Sequence, residues 1–248
     1  MTAGPRLPAA LSWTPPGRVF VFVLAAASIW CLLAEMYGLC GMRPFTLFIL
    51  IPATIVLYGM ALLDRACGDG RLWRAVMIGT IGGLIGAVAY DLFRLPFVYS
   101  DAWGLGGLGI PQMPLFKMFP RFGALILGEP VEQSSYSTAA NLLGWAYHFS
   151  NGATFGVMFA AMASGASEAL ESTVSSRTRW KQIAGATLMA VGIESCLLLS
   201  PYTKFFDIQM SAKFVAVTLV AHVIFGVFLG LYFAWHAGRW RLARAAAC

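Results

Sequence analysis

Residues 221–233 read AHVIFGVFLGLYF, a run with one ionisable side chain, His222, and with Gly226 and Gly230 spaced four and eight positions after it. The run sits inside a longer apolar segment, 212–236. About 20 such residues are the length a helix needs to cross a hydrocarbon core. Backbone polar groups must be satisfied internally in lipid, which leaves helices or closed barrels, and runs this long are helices. The stretch therefore points to an all-α membrane protein, and it raises a question: why is an imidazole placed in the middle of a span?

The whole chain agrees with that reading. Of its 248 residues, 59% are hydrophobic and 11% charged, against roughly 45–50% and 25% in ordinary globular domains. Mean hydropathy is +0.73. Six apolar segments are expected to span as one integral membrane domain over 1–248: about 18–40, 44–63, 74–96, 138–162, 180–200 and 212–236. A break is expected only within 44–63, near Pro52. The first segment is too long for a signal-peptide core and reads as a retained span. The five cysteines form no C-x-x-C pair, which argues against a zinc ribbon or thiol relay; Cys31 and Cys196 are expected to pack as small hydrophobes.

Lys and Arg set the orientation. Eleven fall in segments on one side, among them Arg6, Arg18, Arg65, Arg177 and Arg244, and six on the other, at Arg43, Arg94, Lys117, Arg121, Lys204 and Lys213. This places both termini in the cytoplasm of a bacterial-type inner membrane. The net charge of +6 thus speaks to topology and the lipid bilayer, and no basic, aromatic-laced patch suggests nucleic acid. The outer connection 97–137 carries a short apolar stretch, LFKMFPRFGALILG (115–128), too proline-broken to span. It is expected to be an interfacial or re-entrant helix with Lys117 and Arg121 toward headgroups, either a lid or a passive surface helix.

A repeat is the most informative feature. HFSNGATFGVMF (148–159) and HVIFGVFLGLYF (222–233) both read H-x-x-x-G-x-x-x-G-x-x-F. The spans before them also match: Gly83, Ala87 and Asp91 follow one another at four-residue steps, as do Ala186, Ala190 and Glu194. Four-residue spacing puts each set on one helix face, and small residues so spaced let membrane helices approach closely. Each unit is a helix ending in small-small-acid followed by a helix reading His-small-small. Both units cross in the same sense, so a pseudo-twofold along the membrane normal is expected, with the glycine strips bringing the two histidine helices together.

At 1.5 Å rise per residue, His148 and His222 fall ~15 Å deep from the outer side, and Asp91 and Glu194 ~8–10 Å deep. A charge near mid-membrane costs roughly 2.5–3.5 kcal/mol even on the lenient insertion scale, so these groups should face inward and seek partners. The expected site is Asp91, His148, Glu194 and His222, with Glu35, Arg94 and Asn151 around it. Two imidazoles and two carboxylates suit a transition metal (Fe, Cu or Zn), or the histidines could be axial ligands of haem b. A proton-coupled small-solute carrier or channel uses the same residue types, and a structural role, with the histidines only holding helices together, is the third reading. Bland roles exist for each residue: Asp91 and Arg94 form an i, i+3 pair that could neutralise itself, and Glu35 could be interfacial.

AHVIFGVFLG also resembles the last catalytic helix of the rhomboid proteases, and His148 with Asn151 resembles another of their helices. The G-x-S-G serine that family requires is missing, and SGASEAL (164–170) falls on the side away from the histidines. Intramembrane proteolysis is rejected on that ground.

Overall fold

The computed structural model describes residues 13–168 and 176–245, with side chains placed for 13–163 and 179–236. Arg6, Arg177, Arg239, Arg241, Arg244 and the 164–170 stretch of the sequence reading lie outside these side chains. Among the described residues the chain is helical, with no strand. The helices are α1 (Pro15–Met36), α2 (Met42–Phe45), α3 (Ile51–Cys67), α4 (Arg71–Val98), α5 (Met118–Leu127), α6 (Thr138–Glu168), α7 (Ser176–Leu199), α8 (Tyr202–Phe205) and α9 (Ala212–Ala245).

Among the described residues, five helices are long and apolar enough to cross a membrane: Pro15–Met36, Met42–Cys67, Arg71–Val98, Arg179–Leu199 and Ala212–His236. Their outward faces carry large apolar side chains, such as Ile55, Leu92, Leu188 and Leu199, all strongly exposed. An exposed apolar girdle of this size has no place in water. The expected sixth span, 138–162, forms the 31-residue helix α6 but is the most polar of the set, carrying Asn141, His148, Ser150, Asn151 and Thr154. Its position explains this. From Tyr147 through Ala161 no residue of α6 is exposed, because α1 and α5 pack on it as well as α4. Over these turns the helix meets protein rather than lipid, so hydropathy is not demanded of it.

The break anticipated near Pro52 is real but does not interrupt the span. Residues Thr46–Leu50 form a π-helical turn between α2 and α3, and the Ile51 amide bonds back to the Thr46 carbonyl. Proline lacks the amide that an α-turn would use. Cys31 packs here fully buried, its Sγ 3.5 Å from the Thr46 hydroxyl. Cys196, expected to be buried likewise, is exposed on α7.

Glycine seams hold the helix pairs together. α4 runs antiparallel to α6 with Gly83 against the Gly152 carbonyl and Gly79 against Gly156; a Cβ added at Gly79 would lie 2.7 Å from Val157 Cα. α7 runs antiparallel to α9 with Gly226 against Ala186 and Thr187, and Gly230 against Gln182 and Ile183; added Cβ atoms would fall 2.8 Å and 3.0 Å from the carbonyls of Ala186 and Gln182. The expected meeting of the two histidine helices along their glycines is thus corrected: each glycine strip faces the preceding helix of its own pair. The pairs join through α4 and α9, where Gly82 and Gly86 receive Leu229 and Phe225. α6 and α7 touch only marginally, so the contact between pairs lacks the even reciprocity of the expected pseudo-twofold.

The 97–137 connection folds back on the end of α4. The Met113 amide bonds the Phe97 carbonyl at 2.7 Å, and the Gln112 amide donates to the Val98 carbonyl at 2.6 Å. α5 then packs on the first turns of α6 with no gap, Gly123 lying on the Ala140 carbonyl and Gly144 on the Phe119 carbonyl.

Candidate functional site

Asp91 stands near the end of α4 and His148 one register step above the α4–α6 glycine seam. Their side chains meet, His148 Nε2 lying 2.8 Å from Asp91 Oδ2. Both are largely buried. In the other pair Glu194 and His222 occupy the same register above the α7–α9 seam, with His222 Nε2 3.4 Å from Glu194 Oε2. His222 Nδ1 lies 2.9 Å from the Thr218 carbonyl. A carbonyl only accepts, so Nδ1 carries the hydrogen and donates it. The Nε2 facing Glu194 is then a lone pair against a carboxylate unless a further proton sits between them. The contact is one that a shared proton would make attractive.

Arg94 lies between the pairs, only 4% exposed. One guanidinium nitrogen is 3.6 Å from Asp91 Oδ1, and another donates to the Leu115 carbonyl. The cation lies over Tyr90, with its central carbon 4.6 Å from the ring centre, and beside Phe116 and Phe119, contacts that offset part of its desolvation. Tyr90 touches both imidazoles, with ring centres 5.9 Å from His148 and 4.9 Å from His222. Phe119 of α5 stacks on His148 at 4.2 Å.

These groups surround a cavity of about 110 Å³ lined by Tyr90, Arg94, His148, Asn151, Glu194 and His222, with Phe155 and Phe225 at its floor. Below, the phenylalanines ending the two repeated motifs, Phe159 and Phe233, meet edge to face at 5.0 Å within the bundle's largest apolar cluster. Above, the cavity adjoins a vestibule of about 510 Å³, bounded by the 111–115 and 207–211 loops and sharing Tyr90, Arg94, Glu194 and Tyr202. No family model, curated protein or solved structure matches the chain. Its chemistry must be read from this arrangement alone.

All four principal residues of the sequence reading come together, as do two of the three outer ones. Asn151 lines the cavity with its Oδ1 buried and unbonded. Glu35 does not join them: it accepts the Met42 amide and caps the short α1–α2 turn. Lys117 and Arg121, expected to face headgroups, line the vestibule instead, and Arg121 reaches the Phe206 carbonyl. The sequence reading missed Tyr90, Phe119, Tyr202 and Thr218. Tyr90 had a visible signal in its place directly before Asp91, and Thr218 in its place one turn before His222; nothing local marked Phe119 or Tyr202.

The metal expectation fares differently. Among the described residues no three His, Cys, Asp or Glu side chains converge as ligands. Asp91 and Glu194 are each engaged by an imidazole, and the Arg94 cation sits beside both pairs. That charge repels a metal ion. A cavity of about 110 Å³ is sized for a few waters or a small solute, at roughly 30 Å³ of liquid volume per water, and leaves no room for a porphyrin.

Proposed function

We propose that the chain is a six-span inner-membrane carrier, a single integral domain with both termini in the cytoplasm, that takes a small solute from the outer side together with a proton. One observation carries this reading: a single cavity, adjoining a vestibule at the loop end and closed beneath by aromatic side chains, is lined by both imidazoles, Glu194 and Arg94, with Asp91 held directly behind His148. A carrier resting outward-open needs that geometry, with titratable groups at the solute's end point and an apolar barrier below. The matched register of Asp91–His148 and Glu194–His222 above equivalent glycine seams supports a duplicated two-helix unit. The lysine and arginine distribution supports the orientation. α6 completes the sixth crossing as the central, protein-facing helix.

Glu194 and His222 are the proton site in this proposal. The charged and titratable groups facing them are Tyr90 and Arg94 from α4, His148 from α6 and Tyr202 from α8, with Asp91 behind His148. A proton held between Glu194 and His222 cancels the carboxylate's repulsion of an incoming anion, and its loss would restore that repulsion.

The test uses proteoliposomes loaded with a pH-sensitive dye and challenged with small carboxylates, phosphates, amino acids and neutral sugars. At least one class should acidify the lumen, and Glu194→Gln and His222→Ala should abolish the signal while the protein still inserts. Silence across all classes with correctly inserted protein overturns the carrier.

A further inference from the structure

We propose that Arg94 is the centre of an oxyanion cradle, so that the solute is a small carboxylate- or phosphate-bearing anion. The inference deepens the carrier reading and rests on it for the route of entry. Arg94 is almost wholly buried, yet its donors are under-used. Nη2 is taken by the Leu115 carbonyl, Nη1 has only the long 3.6 Å approach to Asp91, and Nε is buried with no hydrogen-bond partner. A guanidinium offers five N–H groups in a fixed fork that matches a carboxylate or phosphate edge. An orphaned buried donor is costly, and a ligand oxygen at that position removes the cost. Arg94 lines both the inner cavity and the vestibule, so the unbonded edge lies on the path between them.

The vestibule adds a second, independent pointer. Its charged lining consists of Arg94, Lys117, Arg121 and Lys213 against Glu194 and Asp207. Lys117 and Lys213 make no ion pair among the described residues, and Arg121 has only the exposed Glu132 at 3.8 Å. Cations left unneutralised around a cleft with low-dielectric walls draw anions in. Asn151, whose buried Oδ1 is unbonded, could accept from a hydroxyl or amide hydrogen on the far end of the same solute.

The experiment follows thermal unfolding and calorimetric binding of the purified full chain in neutral detergent with inorganic phosphate, with acetate and with acetamide as the uncharged isostere. One or both anions should bind and stabilise, and acetamide should do neither. Arg94→Gln should remove binding. Because that change also strips Asp91 of its cation, Lys117→Gln/Lys213→Gln serves as a second variant, expected to fold normally and to weaken anion binding about 10-fold, a loss of ~1.4 kcal/mol. Equal binding of acetamide, anion binding unchanged in Arg94→Gln, or no binding of either anion together with no Arg94-dependent stabilisation by phosphatidylglycerol nanodiscs overturns the cradle. If nanodiscs containing phosphatidylglycerol stabilise the protein in an Arg94-dependent way while free anions do not, the cradle stands and its oxyanion comes from a lipid headgroup. In the dye-loaded liposomes, a proton signal driven by neutral sugars and intact in Arg94→Gln overturns the cradle and leaves the carrier. Anion binding without any proton movement does the reverse.

Discussion

The two acid–imidazole pairs arise from the same sequence pattern but sit in different surroundings. Asp91–His148 is closed: the contact is 2.8 Å, Phe119 stacks on the imidazole, and Arg94 lies alongside the acid. Glu194–His222 is looser at 3.4 Å, and Glu194 lines both the cavity and the vestibule. The helices differ in the same direction. In the apolar stretch of α4, 44% of the residues are buried, against 17% in that of α7. The two pairs are equally buried, so the difference lies in their neighbours: a stacked ring and a cation hold the first pair tight, and the second keeps a longer contact beside the vestibule.

The largest effect that would sharpen this contrast comes from Asp91→Ala. It leaves a buried arginine and a buried imidazole without their shared acid, and breaking a buried charged pair by removing one partner costs about 3–5 kcal/mol. Glu194→Ala should cost less, about 1–2 kcal/mol, because His222 keeps its Thr218 bond and stays neutral. Equal losses in detergent thermal unfolding would erase the distinction. Between these lie the seams. Gly156→Ala and Gly226→Ala each force a methyl into backbone of the facing helix, and overpacking of this kind costs about 1–3 kcal/mol. The two should be similar, since the seams share one register; tolerance at Gly226 alone would mean that the second pair is not held as the first is. The smallest effect is the control, Gly192→Ala. A Cβ there meets nothing within 4 Å, so a helical glycine replaced by alanine should leave stability unchanged or raise it by about 0.4–1 kcal/mol.

Much of this was legible in the amino-acid sequence, for definable reasons. Apolar runs of span length and glycines at four-residue steps are local patterns, and they located the helices and the seams. The intramembrane acids and histidines announced themselves because each is costly in lipid without a partner. What stayed hidden was pairing. The spacing that marks a glycine strip does not say which helix it faces, so α6 was matched to α9 instead of to α4. Ligand sets mislead in the same way: four good donors implied a metal until the structure assigned each acid to its own imidazole and set Arg94 among them. Glu35 shows the remaining limit. An acid at a helix end fits a site and a turn equally well by sequence, and the Met42 amide decided it.

The π-helical turn at Thr46–Leu50 carries a consequence of its own. Such a turn holds one residue more than the α-helix around it, and one residue corresponds to about 100° of rotation at 3.6 residues per turn. Excising a single amino acid between 46 and 50 would therefore keep the rod intact while swinging its leading end sideways, carrying Met42 out from beneath Cys31 and dragging the Glu35 latch with it. The spare residue is what aims that end of the rod.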